Sequence, residues 1–424
     1  MKKLFSIIVL IAVAAMSVAW AAGPLKAAGP YRHLDVNFDN HIDVGDVNLL
    51  LDAILNGHSD PAEGEEPEEE DLLLAGGDIS LLPSYAATSV QYLDYDGQLI
   101  NSGNTLTDVI GFLTAEGWNA ARVRLFVDPS QASSDDVGQG VRQDLAYVTG
   151  LGKAIKAAGM KFVLDFHYSD SWADPVKQFT PAAWVGQTDE QLAVTIYNYT
   201  KSCLNTLIEA GATPDYIQTG NEISYGILWG KQGSTYVKAD SEAGWERFRT
   251  LEAQAIKACR EVCPKAKIII HTELVRNINL LRNYYNNVNS LDYDIIGLSY
   301  YPYYHGLLPQ LESALSAMET AHPDKDIMIM ETGYFHIWQA DDVKYDYSAT
   351  YPISAAGQKA FTDALVALLK EHQNVKGLFW WFPEANDGGL WPNQVRTDWY
   401  NAGLWDNQTH YAMPAIKSVG DFAK

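Results

Sequence analysis

A regular alternation of short apolar runs with longer helical patterns constrains the fold of this chain most. Helical patterns occupy, for example, residues 144–158, 189–210, 243–262 and 356–372. Eight strand-like runs accompany them, at residues 77–80, 121–127, 161–166, 216–219, 267–270, 294–299, 326–330 and 377–381. Apolar strands separated by helices pair in parallel, and eight of them predict an α/β fold closed as a (β/α)8 TIM barrel. An open doubly wound sheet is the alternative, but no glycine-rich phosphate loop follows the first run.

Two glutamates stand where predicted strands end. Glu222 follows the fourth run, after Gly220 and Asn221, and Glu331 ends the seventh. Active sites of TIM barrels lie at the carboxyl ends of the strands, so these two side chains should face each other across the mouth. Glycoside hydrolysis with retained configuration uses two carboxyl groups about 5–5.5 Å apart, one as nucleophile and one as acid and then base. The acid must hold a proton, which burial and a neighbouring carboxylate favour. The pair therefore predicts a retaining glycosidase.

The charge balance argues against two classes of partner. The chain of 424 residues carries 53 acidic residues against 30 lysines and arginines, a net charge of −23. Such acidity argues against nucleic acid and against an anionic membrane surface. It suits a soluble protein that acts on a neutral ligand. The 12 tryptophans and 24 tyrosines include enough rings to build a core and to stack on sugars.

The first 21 residues have the layout of a secretory signal peptide. Lys2 and Lys3 precede an apolar run over residues 4–18, and residues 19–21 read Ala-Trp-Ala, a small-residue cleavage site. We therefore expect secretion to the periplasm, the cell surface or the medium. An uncleaved membrane anchor is the alternative, although the run is short for a span of about 20 residues.

Residues 35–46 have the spacing of an EF-hand-type calcium loop. Oxygen-bearing side chains fall at positions 1, 3, 5, 9 and 12, and position 7 would bind through its backbone carbonyl. The expected calcium ligands are Asp35, Asn37, Asp39, His41, Asp43 and Asp46. An aspartate at position 12 makes the segment 31–57 resemble a dockerin repeat, which implies a docking partner. Dockerins carry two such loops and only one is present, so an acidic surface loop is the alternative.

An acidic linker is expected over residues 58–73. The stretch 59–71 holds eight acidic residues, no basic residue and two prolines. Like charges repel each other and proline stops helix growth, so this composition predicts an extended, disordered spacer. The catalytic domain would then occupy residues 74–424.

The three cysteines leave two interpretations open. Cys259 and Cys263 are four residues apart in a helical pattern, and Cys203 could pair with either of them. Three buried thiols are at least as compatible with the pattern. Catalysis by cysteine has no support.

Five motifs occur together, and in one order, as they do in a known family. From about residue 74 to residue 424 the chain resembles the family 53 glycoside hydrolases, the endo-β-1,4-galactanases. The run His-Tyr-Ser-Asp-Ser-Trp-Ala-Asp-Pro is the most specific of the motifs, whereas the others are shared more widely within the clan. The motifs are G-D-I-S at 77–80, F-H-Y-S-D-S-W-A-D-P at 166–175, Q-T-G-N-E-I at 218–223, S-Y-Y-P at 299–302 and M-E-T-G-Y at 330–334.

The resemblance implies roles for five residues. Glu222 would be the acid/base, Glu331 the nucleophile, and Asn221 the partner of the sugar 2-hydroxyl. Arg122 matches the clan's arginine beside the nucleophile, with Arg124 as a rival and a structural ion pair as the alternative. Tyr301 aligns with the strand-6 tyrosine that donates to the nucleophile, and Tyr300 would point away from it.

The resemblance also suggests residues that contact the sugar chain. His167 and Asp170 are expected near the scissile sugar, although His167 could be a core histidine. Tryptophans suggested for the cleft, each with a core alternative, are Trp172, Trp184, Trp229 and Trp381. One position departs from the family: Phe382 stands where a glutamate usually follows the last strand, and Glu384 is two residues too far along to replace it.

The implied activity is endo-hydrolysis of β-1,4-galactan or type I arabinogalactan, the side chains of pectin, by a monomer that needs no cofactor for catalysis. A related enzyme that cleaves mannan or glucan by the same mechanism is one alternative. A non-catalytic galactan-binding protein on the same barrel is another, against which the presence of Asn221 and both glutamates argues.

Overall fold

The computed structural model describes residues 72–386 and 398–424, together with the backbone of two short antiparallel strands, Leu25–Lys26 and His41–Ile42. The signal peptide, the side chains expected to bind calcium and most of the acidic linker lie outside the described residues. Everything below concerns the compact unit that follows, residues 71–424.

Eight parallel strands close into a barrel, which confirms the predicted fold. They pair in sequence order, and the last strand closes on the first. Their bounds are Leu74–Asp78 (β1), Ala120–Leu125 (β2), Lys161–Phe166 (β3), Tyr216–Gln218 (β4), Lys267–Thr272 (β5), Ile295–Tyr300 (β6), Asp326–Thr332 (β7) and Val375–Trp381 (β8). The first strand begins at Leu74, three residues before the predicted run, and it includes the glycines at 76 and 77. A Cβ on Gly76 would meet the Ala120 carbonyl oxygen at 2.1 Å, so only glycine fits beside β2 there.

Helices cover the outside of the barrel, and the four predicted helical patterns correspond to α4, α5, α6 and α10. The helices are Leu82–Ala86 (α1), Thr105–Ala115 (α2), Ser134–Gly138 (α3), Leu145–Ala157 (α4), Asp189–Glu209 (α5), Glu242–Val262 (α6), Ile278–Val288 (α7), Pro302–His305 (α8), Leu308–Ala321 (α9), Ala355–Leu369 (α10) and Ala415–Gly420 (α11). Short 3-10 turns occur at Pro129–Gln131, Ala182–Trp184, Leu274–Arg276, Asp398–Ala402 and Asp421–Ala423. Most of the longer helices begin at a side-chain cap, such as Thr188 before α5, which forms a capping box with Gln191.

The barrel interior is apolar towards the amino ends of the strands and polar towards their carboxyl ends. The apolar layer is a separate buried cluster of Leu74, Ala120, Val163, Tyr216, Ile269, Ile295, Met328, Met330 and Phe379. Side chains two residues further along several of these strands share the same face, because strand side chains alternate. These side chains include Arg122, Asp165, Gln218 and His271, all buried. The alternation therefore builds a floor of aliphatic and aromatic groups beneath a charged mouth.

An extra residue in β7 turns Glu331 towards the mouth. On the β6 side, Leu298 pairs with Ile329 but Ser299 pairs with Glu331. On the β8 side, Leu378 pairs with Ile329 but Trp380 pairs with Thr332. Both neighbours thus skip one residue of β7, which is a β-bulge. Met328 and Met330 face the interior, so strict alternation would send Glu331 outward, and the bulge instead gives it the inward face.

The three cysteines are free thiols, and all three are buried, which confirms the thiol interpretation. Within residues 72–386 and 398–424, none of the helices has the length and apolar character needed to cross a membrane.

Candidate active site

The guanidinium of Arg122 joins most of the polar groups at the barrel mouth. Its Nη1 lies 3.2 Å from Asp78 Oδ2 and 3.0 Å from Glu331 Oε1. Its Nη2 lies 2.8 Å from Asp165 Oδ2 and donates to Asn221 Oδ1 at 2.7 Å. Arg122 is completely buried, and a buried charge is tolerated only when it is paired and hydrogen-bonded. Burial lowers the pKa of Arg122, but the nearby carboxylates together raise it by more, so the guanidinium stays cationic.

Arg124, the rival to Arg122, does not reach Glu331. Its Nη1 donates to Asp78 Oδ1 at 2.8 Å, and its guanidinium carbon lies 4.7 Å from the Trp172 ring and 4.8 Å from the Phe382 ring. Arg124 therefore anchors Asp78 and supports the aromatic wall of the cleft.

In addition to its ion pair with Arg122, Glu331 receives a hydrogen bond from the residue that directly follows β6. The hydroxyl of Tyr301 donates to Glu331 Oε2 at 3.0 Å, whereas the hydroxyl of Tyr300 donates to the Gly306 carbonyl at 2.9 Å. The two neighbouring tyrosines thus point apart, as alternation along a strand requires. Burial, with Asp165 and Asp78, raises the pKa of Glu331 to about 7, while Arg122 and the Tyr301 hydroxyl oppose this rise. These two donors favour the carboxylate form.

Glu222 sits on a strained turn after β4. Gly220 has a φ of 116° and Glu222 a φ of 48°, a left-handed conformation that glycine adopts freely and glutamate does not. Two contacts hold the turn: Gln178 Nε2 donates to the Asn221 carbonyl at 2.7 Å, and the Glu222 amide donates to His271 Nδ1 at 3.3 Å. Such strain persists only where the surroundings fix it, and here it directs Glu222 into the cleft.

A hydrogen-bonded chain links His271 to the Glu222 carboxyl group. Burial, followed by Arg122, lowers the pKa of His271, so the imidazole is neutral. Its Nδ1 accepts from the Glu222 amide, which leaves the proton on Nε2, 2.9 Å from Ser299 Oγ. Ser299 in turn bonds to the carboxyl group of Glu222. The neutral histidine thus orients a serine that orients Glu222.

The two glutamates differ in their electrostatic surroundings. Burial raises the pKa of Glu222, and Glu331 and Glu273 raise it further. Among the groups that shift the pKa of Glu222 most, none is a cation. By contrast, the cation Arg122 lowers the pKa of Glu331. Glu331 therefore loses its proton first, so the pair has one ionised and one protonated carboxyl group over a range of pH.

Asn221 is held with one amide hydrogen directed into the protein. Its Oδ1 accepts from Arg122, and its Nδ2 donates to the Ala173 carbonyl at 2.8 Å. These bonds fix which atom of the amide is nitrogen. Nδ2 has a second hydrogen, and Asn221 lines the cleft, so this hydrogen can reach a ligand hydroxyl.

A cleft of about 500 Å³ lies over these groups. Of the residues predicted from the sequence, Asn221, Glu222, Tyr301, Glu331, Trp172 and Trp381 line it, and Phe382 does so too. The guanidinium of Arg122 lies beneath, 5.7 Å from the Trp381 ring. The cleft thus brings two carboxyl groups together with tryptophan faces on which sugar rings can stack.

Two residues predicted to contact the sugar, His167 and Asp170, are not among the residues that line the cleft. His167 is buried: its Nδ1 accepts from the Ala173 amide at 3.1 Å, and its Nε2 lies 3.1 Å from Asp165 Oδ2. This buried position is the one that the alternative, a core histidine, describes. There His167 contacts both Asp165 and the loop after β3. Asp170 accepts from the amides of Asp128 and Ala182 at 3.1 and 2.7 Å. It ties loops together and does not line the cleft.

Two predicted cleft tryptophans also belong to the core. Trp229 is 1% exposed, and its indole N–H donates to the Tyr225 carbonyl at 2.9 Å. Lys238 Nζ lies 4.0 Å from its ring. Trp184 packs edge-on against Tyr199. Hydropathy alone does not distinguish a tryptophan packed under a loop from one that faces a ligand. Which of the two a loop tryptophan does depends on the path of its loop.

The sequence analysis missed several residues that line the cleft. They are Gln139, Asp174, Pro175, Lys177, Glu273, Tyr304, His305, Lys344 and Trp399. Glu273 directly follows β5, and the strand-end argument used for Glu222 would have identified it. The others lie on loops or on short helical turns such as α8, which carries Tyr304 and His305, and no periodicity marks which of their side chains turn inward. Glu384 is buried away from the cleft, where its Oε1 accepts from the Leu81 amide at 2.8 Å.

Residues 72–386 and 398–424 of the catalytic unit hold no candidate set of metal ligands. Within the described parts of the chain, no three or more His, Cys, Asp or Glu side chains are grouped as a metal site. Of the calcium ligands predicted in the amino-terminal loop, Asp35, Asn37, Asp39, Asp43 and Asp46 lie outside the described residues, as does the side chain of His41.

Removing the Tyr301 hydroxyl tests whether Glu331 is the group that must be ionised. In Tyr301→Phe the pKa of Glu331 should rise, because a hydrogen bond to the carboxylate is lost. The acidic limb of the pH profile of kcat/KM should then move to higher pH. Losing a hydrogen bond to a charged group costs about 1.5–3 kcal/mol, or roughly 10- to 150-fold in kcat/KM.

Tyr300→Phe is the matched control, since it removes a neighbouring buried hydroxyl that bonds only to a backbone carbonyl. It should lower the melting temperature without moving the acidic limb. An unmoved limb in Tyr301→Phe, or an equal movement in both variants, would contradict the assignment.

Comparisons with known proteins agree with this geometry. The family model for glycosyl hydrolase family 53 matches residues 74–418. The probable arabinogalactan endo-β-1,4-galactanase A of Aspergillus fumigatus is 30% identical over 346 residues, 77% of this chain and 90% of the relative. The endo-β-1,4-galactanase of Bacillus subtilis is 29% identical over 320 residues, 73% of this chain and 70% of the relative.

Among solved structures, the family 53 catalytic domain of Ignisphaera aggregans superposes with a TM-score of 0.71 at 28% identity, covering 83% of this chain and 97% of that one. The match of the family model spans most of the chain and begins at the first residue of β1. The chain belongs to glycosyl hydrolase family 53.

Proposed function

We propose that the chain is an endo-β-1,4-galactanase that cleaves β-1,4-galactan or type I arabinogalactan with retention of configuration. One observation carries this proposal: two glutamates line one cleft, and a buried arginine pairs with only one of them. The family and the galactanases similar to the chain supply the substrate class.

In the first half-reaction Glu222 would act as the acid. It donates its proton to the glycosidic oxygen while a Glu331 carboxylate oxygen attacks the anomeric carbon. The bond between that carbon and the leaving oxygen breaks, the leaving chain departs as an alcohol, and a galactosyl ester of Glu331 remains. Arg122 and Tyr301 support this role because they favour the carboxylate form of Glu331 before the attack.

In the second half-reaction Glu222 would act as the base. It takes a proton from a water molecule whose oxygen attacks the anomeric carbon, and the ester bond to Glu331 breaks. Two inversions give net retention, and both carboxyl groups return to their starting protonation states. Ser299 and His271 keep Glu222 oriented through both steps.

Asn221 and the tryptophans would supply binding in the transition state. The free amide hydrogen of Asn221 can reach the sugar 2-hydroxyl, and hydrogen bonds to this hydroxyl contribute to stabilising the transition state. Trp381 and Trp172 offer aromatic faces at the cleft wall. Buried cations behind them, Arg122 and Arg124, hold these rings in place.

Product analysis tests the activity directly. Linear β-1,4-galactan should yield short galacto-oligosaccharides, while mannan, carboxymethylcellulose and xylan stay intact. Cleavage of mannan or glucan would keep the two glutamates as the catalytic pair but contradict the substrate. The axial 4-hydroxyl of galactose is the feature that the loops must recognise.

Glu331→Gln is the matched control for catalysis. The amide keeps the shape of the side chain but is a poor nucleophile, so turnover should fall by several orders of magnitude while galactan still binds. A wild-type chain that binds galactan and never cuts it would establish the non-catalytic alternative.

We further propose that residues 1–21 direct secretion, which the layout of a signal peptide supports. The material degraded would be the side chains of pectin.

We also propose that residues 35–46 bind calcium. The support is the spacing of oxygen ligands in the sequence. Calorimetric titration of calcium into the full chain should show binding that Asp35→Asn with Asp46→Asn abolishes. Equal heats from both proteins would contradict the calcium site.

A further inference from the structure

A third carboxyl group lies beside the acid/base candidate. Glu273, directly after β5, lines the cleft together with Glu222 and Asp174. Its Oε2 accepts a 2.5 Å hydrogen bond from the hydroxyl of Ser224. Ser224 is only two residues after Glu222, so this bond ties the loop after β5 to the strained turn that carries Glu222.

Glu273 has no role in the steps described above. Within the described residues no cation pairs with it. Burial raises the pKa of Glu273 to about 7, and the Ser224 hydroxyl opposes that rise. The Glu273 side chain is therefore mostly an anion above a pH of about 7.

Glu222 faces groups from several elements, and their charges decide how firmly it holds its proton. Like charges come from Glu331 on β7, Glu273 after β5 and Asp174 in the loop after β3. Lys177 pairs with Asp174 at 3.4 Å and reduces the influence of that carboxylate. Ser299 on β6, Tyr301 directly after it and His271 on β5 are neutral. Glu331 and Glu273 are thus the two anions that act on Glu222 most.

These two anions behave differently during turnover. When Glu331 forms an ester it becomes neutral, and its effect on Glu222 disappears. Glu273 forms no bond to the sugar in the proposed mechanism and keeps its charge. In the second half-reaction Glu273 is then the main anion that keeps Glu222 basic enough to accept a proton from water.

We propose that Glu273 is a positioning residue for the acid/base: it holds the turn of Glu222 through Ser224, and as an anion it keeps the proton on Glu222 in the alkaline half of the working range. The inference deepens the proposed function and rests on it. A nearby like charge raises the pKa of a carboxyl group, and Glu273, in the same cleft, acts in this direction on Glu222.

Glu273→Gln separates the charge from the hydrogen bond. The amide oxygen still accepts from Ser224, and the side-chain volume is nearly unchanged. On galactan the basic limb of the kcat/KM profile should move to lower pH by about one unit, since the pKa of Glu222 falls when a like charge is removed. The acidic limb should stay in place. Glu273→Asp keeps the charge on a shorter arm and should restore most of the basic limb.

An activated substrate gives a readout that a loss of folding would not reproduce. Dinitrophenolate leaves without a proton, so kcat/KM for a dinitrophenyl β-1,4-galactobioside should be equal in wild type and Glu273→Gln across the basic limb. Only galactan, whose leaving group needs the proton of Glu222, should show the difference.

The possible results distinguish a failure of the Glu273 inference from a failure of the proposed function. Galactan cleavage by the wild type with an unmoved basic limb in Glu273→Gln overturns this inference and leaves the proposed function intact. Equal loss on both substrates at every pH also overturns it, because that pattern indicates a structural role alone. A wild-type chain that cleaves neither substrate overturns the proposed function and this inference together.

Discussion

The buried guanidinium of Arg122 is the interaction on which the rest of the mouth depends. Its contacts reach Asp78 on β1, Asp165 on β3, Asn221 after β4 and Glu331 on β7. Removing a buried cation would leave these carboxylates uncompensated, at a cost of about 3–5 kcal/mol when one partner of such a pair is lost. The same charge that stabilises the mouth also favours the ionised form of Glu331, so fold stability and chemistry share one group.

The asymmetry between the two glutamates follows from where that charge lies. Glu331 has a cation and a tyrosine hydroxyl beside it, whereas Glu222 faces other carboxyl groups and a neutral histidine–serine chain. One carboxyl group is therefore suited to attack and the other to proton transfer, although both are glutamates in one cleft. Glu273 extends this asymmetry by adding a further like charge on the side of Glu222.

The sequence predicted the barrel and the meeting of Glu222 and Glu331 at its mouth, because both depend on periodicity and on strand ends. It did not predict the bulge at Met330, which gives Glu331 its inward face, since simple alternation would have assigned that face to its neighbours. For Trp229 and His167 it left a cleft position and a core position open, and both side chains are buried. Their positions depend on loop paths fixed by long-range hydrogen bonds, such as that from the Ala173 amide to His167, and local patterns do not encode these paths.

The central claim is that Glu331 forms a covalent bond to the sugar and Glu222 does not. A 2-deoxy-2-fluoro-β-galactoside or galactobioside with a dinitrophenolate leaving group tests this most directly. The fluorine slows both formation and hydrolysis of the ester, whereas the good leaving group speeds formation alone, so the ester accumulates. Proteolysis and mass spectrometry should locate one fluorosugar on Glu331, with the Tyr301→Phe variant labelled more slowly. Labelling of Glu222, or turnover of galactan without any covalent species and with inversion at the anomeric carbon, would contradict the account.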